Sequence, residues 1–542
     1  MPIQDPKAQI NPATYTSMAG ICNIIFYIAL FCVEGAIIGL YALISYEDGT
    51  GFTTSGFGTY DTFTQPLIQF EAPVPLRVAG LQNIMNVNWL QIDMSIFMLI
   101  GFGFLIVFLR FHRWMSLGLT YFACALSIQL VLLWSVLFVC VFRWNYQGIY
   151  EFANPYILTN DFANFSYLLT YGIRGAVAIL ITLGALMGKI DAFQTLIIVV
   201  LETIIYTANE MICNRIVNCR DVGGCFYIHA FGSIAGVVAS RIYSPKANCK
   251  DNPNINGSYF SSTIAFIGTF FLWVSFPMFN SFNPTLDYKM PWSSDILVMQ
   301  NTFFALTAST ISAMWLSVII YSGKFNWEGV CFATLAGGII ISGSADMFAY
   351  PFPPLIVGSC GGLISMASYA FIKPFLERLY YFDTRGVLEL HYIPSIFGMV
   401  VAASQATFLD RESYFSLWWH ENSITNIRNN YLHNTDGFYL GGMEVCAFLI
   451  SSGLGIGTGF LLGGTLRAWR IFNLPEDTFG DHIWWKMVQD ETNLNDRNMV
   501  PDQSKISMID QRISPRRLSP RPVVQAPLSL NMPAGSAIQQ VY

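Results

Sequence analysis

The sequence predicts an all-α polytopic membrane protein with about twelve spans and an inverted five-plus-five helix repeat. Three observations carry this. Of 542 residues, 54% are hydrophobic and only 11% charged, whereas about a quarter of a soluble domain is charged. Apolar runs of about 20 residues, enough to cross a bilayer as helix, recur along most of the chain. A 16-residue element also occurs twice, as DVGGCFYIHAFGSIAG at 221–236 and DTRGVLELHYIPSIFG at 383–398. The copies match at Asp221/Asp383, Gly224/Gly386, His229/His391, Ser233/Ser395, Ile234/Ile396 and Gly236/Gly398.

The first span is expected at about 20–45, with Glu34 in mid-run, and a polar loop rich in Gly, Thr and aromatics follows to about 88. The next five spans fall at about 91–110, 116–142, 165–188, 191–212 and 221–241. A hydrophilic loop at 244–258 divides the chain. Beyond it lie runs at about 260–280, 296–322, 328–349 and 352–372, an eleventh that begins near Gly386, and a twelfth at about 438–466. Spans two to six and seven to eleven are then two halves. Each half has an odd number of spans, so the second inserts upside down relative to the first. This frames a transmembrane unit at 1–473, with its repeats at about 91–243 and 260–408.

Positive residues such as Arg110, Arg113, Lys189, Arg241, Lys324 and Arg378 gather in loops on one side. That side is read as cytosolic and holds both termini. The expected location is the plasma membrane. The Asn164-Phe-Ser sequon then lies outside and is the glycosylation candidate, while Asn256-Gly-Ser lies inside. The first apolar run lacks a small-residue cleavage site and reads as a span rather than a signal peptide. From about 474 the chain is polar and Pro-rich and is expected to be a disordered cytosolic tail. Its basic RISPRRLSPR segment at 512–521 carries two Ser-Pro sites. It fits a phosphorylated dock for cytosolic partners, a contact with anionic membrane lipid, or a plain solvated tail.

Net charge −6 argues against a nucleic-acid partner. No Gly-rich phosphate loop, serine elbow or cluster of metal ligands is present, so no enzyme chemistry, metal or cofactor is expected. The 11 cysteines have no C-x-x-C spacing. Cys213 and Cys219 flank a short loop, where a disulfide is one option. The chemistry instead gathers on His229 and His391. A lone His in an apolar run is more often hydrogen-bonded structure, but two at matched repeat positions, out of six in the chain, point elsewhere. Paired motif-bearing helices in two halves mark a transport site at the repeat interface, and an ionisable group inside a span is costly. A neutral His pair offers a small polar solute a donor and an acceptor without a fixed charge. Asp221 and Asp383, eight residues earlier, fit helix N-caps better than partners of the His.

These residues, with GFGFLIVFLR, GALMGK, ANE at 208–210, GTFFLW, FNS at 279–281, ATLAGG and KPFLER in order, resemble the Rh (Rhesus) glycoproteins of the ammonium transporter superfamily. The resemblance covers roughly 85–408. It implies an ammonium-transporter-like fold, a homotrimer with one pore per subunit, and passage of ammonia, with carbon dioxide or methylamine as further solutes. His229 and His391 match the paired pore histidines. Phe279, beside Asn280, matches one of two stacked gate phenylalanines, and Leu126 stands where the other is expected. Glu210 and Asn209 match outer-vestibule positions. Tyr392, Ser395 and Met399 replace glycines usual in the family. Glu34, Arg174 and Glu202 put charges inside spans, either as a buried salt-bridge cluster or as a proton or cation route. Two rival readings follow: a non-conducting structural or sensing relative, and an electrogenic ammonium transporter.

Overall fold

The computed structural model describes residues 25, 28–40, 95–109, 112–145, 162–217, 219–243, 257–281, 294–348, 350–408, 437–468, 481 and 485. The chain forms two compact units, 1–485 and 486–542. The second unit lies outside the described residues, as do Asn256 and the basic Ser-Pro segment. The described part of the first unit is helical, and a helix overlaps each of the twelve expected runs. In order these are α1 (Ile28–Leu40) and α2 (Ser95–Ile106), then α3 (Arg113–Asn145), α4 (Phe162–Leu186), α5 (Ala192–Met211) and α6 (Phe231–Tyr243). The second half holds α7 (Tyr259–Ser281), α8 (Ser294–Ile320), α9 (Trp327–Ser342) and α10 (Phe352–Ala367). It ends with α11 (Ile393–Phe408), and α12 (Gly437–Ala468) follows. Eight described helices are long and apolar enough to cross a membrane, and α1, α2 and α9 are shorter apolar helices. Among the described residues the one extended pairing is an isolated bridge between Leu109 and Gly257.

Small residues let α6 sit deep between α4 and α12. A methyl on Gly232 would meet the Ala178 carbonyl oxygen at 2.5 Å, and one on Gly236 the Thr182 oxygen at 2.7 Å. On the other side Gly455, Gly459 and Gly463 recur every four residues along α12. Methyls there would lie 2.8, 2.8 and 2.9 Å from the carbonyl oxygens of Phe231, Ala235 and Ala239. Spacing of four puts all three on one helix face, which is how small residues bring membrane helices together.

The two halves enter the unit from opposite ends. The Arg174 guanidinium, early in α4, donates to the Val222 carbonyl at the turn that leads to His229. At the far end of α4, Thr384 donates to Ala185 O at 3.3 Å, just before the turn that leads to His391. Eleven residues of helix separate those levels, roughly 16 Å. Lys189 fastens the second entry by donating to Ala185 O at 2.9 Å, Ser240 Oγ at 2.8 Å and Phe382 O at 2.5 Å.

One expectation, the option of a disulfide, changes. Cys213 and Cys219 are free thiols. Cys213 Sγ faces Ser451 Oγ at 3.2 Å, whereas Cys219 Sγ faces Asn214 at 4.0 Å, so the two sulfurs serve different partners. The chain past 473 also returns to the helical unit, because Asp481 caps α3 and Trp485 packs beside Trp114 with ring centres 6.2 Å apart. This compact unit runs to Trp485.

Candidate functional site: a paired-histidine column

Each His lies in a widened π turn, Cys225–Ala230 for His229 and Leu388–Tyr392 for His391. Single π turns within helices recur at functional sites, because they displace side chains from the regular spiral. The same local device builds both. A glycine with positive φ, Gly224 at 78° and Gly386 at 62°, turns the chain into the helix. Asp221 then accepts from the amides of Cys225 at 2.5 Å and Phe226 at 2.6 Å. Asp383 accepts from Arg385 N at 3.2 Å and Leu388 N at 2.8 Å. Both carboxylates thus satisfy free amides at a helix start. Asp221–Phe226 and Asp383–Leu388 are both five-residue reaches, which matches the wide turn. Ser233 and Ser395 each return a hydroxyl to the carbonyl of the His four residues before, at 2.5 and 2.7 Å.

The two rings lie in nearly parallel planes with their Nδ1 edges together. Their centres are 5.2 Å apart at an interplanar angle of 13°, and Nδ1 of His391 lies 3.2 Å from Nδ1 of His229. One Nδ1 must donate and the other accept, so the rings hold opposite tautomers. One Nε2 is then a donor and the other an acceptor. Two protonated rings would bring two Nδ1–H groups together, so the pair binds at most one extra proton while this bond lasts. His229 Nε2 is buried and has no hydrogen-bond partner among the described residues.

The pair is the middle of a column of rings. His229 stacks on Phe276 at 5.8 Å, and Phe276 meets Phe279 edge-on at 6.4 Å. On the other side His391 stacks on Phe102 at 6.4 Å. Arg174 closes the Phe279 end. Its guanidinium carbon stands 5.4 Å from the Phe279 ring centre and 5.5 Å from that of Tyr227. It also donates to Phe279 O at 3.4 Å, Val222 O at 3.1 Å and the Tyr227 hydroxyl. At the other entry Arg385 donates to Leu105 O, with its guanidinium carbon 4.3 Å from the Phe108 ring centre and 5.8 Å from that of Phe332. Each glycine turn that opens a His helix therefore has an arginine beside it.

The other expected residues have defined partners. Leu126 and Phe279 are both buried in the main core, and Arg174 from α4 stands over the Phe279 ring. The Asn280 amide donates to Thr302 Oγ1 at 3.2 Å and Gly338 O at 3.1 Å, tying α7 to α8 and α9. Asn209 and Glu210 are buried. Asn209 accepts from Ser451 at 3.0 Å on α12, and Glu210 lies within electrostatic reach of Arg174. The charges within spans form no single cluster. Glu34 is half-buried on α1. Glu202 meets Thr182, eight residues from Arg174 along α4. Asn164 lies in the first turn of α4 rather than in a loop. Tyr392 fills space beside Phe448, with ring centres 6.2 Å apart. Among the described residues no group of His, Cys, Asp and Glu could hold a metal.

Sequence reading missed Phe276, Phe102 and Arg385. Phe276 was within reach, since it precedes Phe279 by three residues and shares its face. Phe102 was hidden among aromatics in an apolar run. Arg385 stands in the turn ahead of its span, where a charge is unremarkable.

The profile of the Ammonium Transporter Family matches residues 72–477. The chain is 32% identical over 410 residues to ammonium transporter Rh type B of Bos taurus, covering 74% of this chain and 83% of that protein. It is 29% identical over 425 residues to the Rh type B protein of Danio rerio, covering 77% and 86%. Among solved structures, Rh50 of Nitrosomonas europaea aligns with a TM-score of 0.60 at 20% identity, over 79% of this chain and 99% of that one. A Sensor Amt Protein aligns at 0.56 and 18% identity, over 74% and 98%. The structural likenesses carry the fold, and the profile with the bovine relative carries the descent: the chain belongs to the ammonium transporter family, among its Rh proteins.

Proposed function

We propose that this protein is an ammonia channel in which the His229–His391 pair forms the middle of the pore. The observation that supports it most is the Nδ1–Nδ1 contact of 3.2 Å between helices that enter from opposite ends. That contact leaves one donor and one acceptor among apolar rings. Ammonia uses both and loses little hydration. Ammonium would have to shed its water in an apolar passage, at great cost. The proton stays behind or travels separately, and transport follows the ammonia gradient. Phe279 with Arg174 narrows one entrance, and Asp221 and Asp383 hold the two His turns. The relatives named for ammonium transport support the same substrate. The assembly proposed is a homotrimer in the plasma membrane, with both termini cytosolic and no enzymatic step. The test is internal alkalinisation of proteoliposomes after an ammonium pulse, beside empty vesicles and a His229→Ala/His391→Ala double variant. Alkalinisation faster than in empty vesicles, and altered in the variant, supports the reading. Wild-type rates equal to empty vesicles at verified incorporation sink it. Methylamine and carbon dioxide are compared in the same vesicles.

A second reading, a non-conducting structural or sensing protein, is favoured by Arg174 standing over Phe279. Wild-type vesicles with no excess flux for any of the three solutes would select it.

A further inference from the structure

We propose that Arg174 is the charge filter of this pore, a fixed guanidinium at the end of the ring column that turns ammonium back and lets neutral ammonia by. The inference rests on the ammonia-channel reading and goes beyond it, since the His pair and the rings alone set no charge at the throat.

Position comes first. The column runs from His229 through Phe276 to Phe279, and the guanidinium lies over the last ring at 5.4 Å. A solute moving along these rings passes the cation before it reaches the histidines. Restraint comes second. Arg174 is fully buried and is held by Phe279 O, Val222 O and the Tyr227 hydroxyl. A methyl on Gly224 would come within 3.2 Å of its Nη2, so the glycine turn and the arginine are fitted to each other. The side chain has no room to swing aside.

Chemistry comes third. An arginine keeps its proton at any working pH, so this charge does not switch off. Fixed charge in an apolar, poorly hydrated passage is weakly screened. An arginine in a pore is a known kind of barrier to cations. Ammonium would meet dehydration and a like charge at the same place, whereas ammonia meets neither. The carboxylates within its electrostatic reach include Glu210 and Asp221. Asp221 is also committed to the amides of Cys225 and Phe226. These two acids lower the cost of burying the guanidinium without moving it off the Phe279 ring. A packing role alone would explain the hydrogen bonds to carbonyls. It would not make the ionic selectivity depend on charge at this position.

The experiment measures two signals on the same proteoliposomes after an ammonium pulse: alkalinisation inside the vesicle, and current on a solid-supported membrane. The proteins are wild type, Arg174→Met, Arg174→Gln and Arg174→Lys. We expect wild type to alkalinise the lumen with no current above empty vesicles. Removal of the charge in Arg174→Met or Arg174→Gln should raise ammonium-evoked current about tenfold or more. Arg174→Lys, which keeps the charge, should stay near wild type in current even where its flux falls. The idea fails if either neutral variant conducts ammonia without current. It also fails if wild type itself carries a current that follows ammonium rather than ammonia as pH is varied, an outcome that needs no variant to fold. A wild type with neither signal removes the channel reading instead, so the two failures are told apart.

Discussion

His229 and His391 share a single hydrogen bond between their Nδ1 atoms, 3.2 Å long, although 162 residues separate them in the chain. Neither ring can change its tautomer without the other changing too.

This coupling predicts non-additive variants. Losing one ring removes the shared bond and frees the tautomer of its partner. A buried hydrogen-bond loss costs about 1–3 kcal/mol, which corresponds to roughly 5- to 150-fold in rate. His229→Ala and His391→Ala should each change ammonia flux in that range, and the double variant should change it little further. A double-variant effect equal to the product of the single effects would show that the rings act independently.

How much of this was legible in the sequence follows from what each signal depends on. Spans were readable because bilayer thickness sets a run length, and α3 to α12 appear where apolar runs predict them. The paired His helices were readable because Asp, Gly, His and Ser recur at one spacing. The π turns were not, because a turn widened by one residue leaves the same composition. Arg174 was readable as a costly charge and not as the neighbour of Phe279. That contact joins α4 to α7 over 105 residues and depends on packing. Arg174 and Glu202 take different partners for a similar reason: on α4, Glu202's partner Thr182 stands roughly 12 Å from Arg174.

Glu202 gives the second prediction. The Thr182 hydroxyl lies 2.5 Å from Glu202 Oε1 and 2.8 Å from Gly232 O. It has one proton, and a carbonyl cannot donate. Both contacts close when Glu202 carries a proton and donates to Thr182, leaving Thr182 to donate to Gly232. Glutamine can supply the same donor. Glu202→Gln should therefore keep the melting temperature in detergent near wild type, while Glu202→Ala loses about 1–3 kcal/mol. The protonated-carboxyl stretch in the infrared difference between wild type and Glu202→Gln provides the second check. A Gln variant as unstable as the Ala variant would rule out the neutral pair.

Arg385 gives the third. Its Nε and Nη1 are buried with no hydrogen-bond partner among the described residues, and the Phe108 ring lies 4.3 Å from the guanidinium carbon. A planar guanidinium stacks on a ring where an ammonium only points at it. Arg385→Lys should lower stability by about 1–2 kcal/mol despite keeping the charge. Phe108→Leu should produce a loss of similar size, and the two together should cost less than their sum. Additive losses in a thermal-melt cycle would mean that the ring and the guanidinium are not coupled.

The two aspartate caps should behave alike if the repeat is physical as well as textual. Asp221→Ala leaves the amides of Cys225 and Phe226 unsatisfied, and Asp383→Ala does the same at Leu388. Each loss should cost about 1–2 kcal/mol, with Asn recovering part of it. Asp221 is fully buried and Asp383 is half-buried, so the first change should be the larger. The order is read from melting temperatures of the four variants, and a larger loss at Asp383 would contradict it.

The last prediction concerns the chain beyond α12. Asp481 accepts from the first amides of α3, at 2.9 Å from Arg113, 3.1 Å from Trp114 and 2.7 Å from Met115. Burial pushes its carboxyl above the usual range, against the pull of those three amides. Four residues later the Trp485 ring covers Gly118, where a methyl would come 2.2 Å from it. The cap and the ring together hold this segment on α3. Asp481→Ala should lose about 1–2 kcal/mol of that docking, and Gly118→Ala should push the ring away. The chain's next residue is Lys486, so trypsin reports docking directly. Cleavage after Lys486 should quicken in both variants while melting of the helical unit shifts little. Unchanged cleavage in both would mean that the segment gains nothing from either contact.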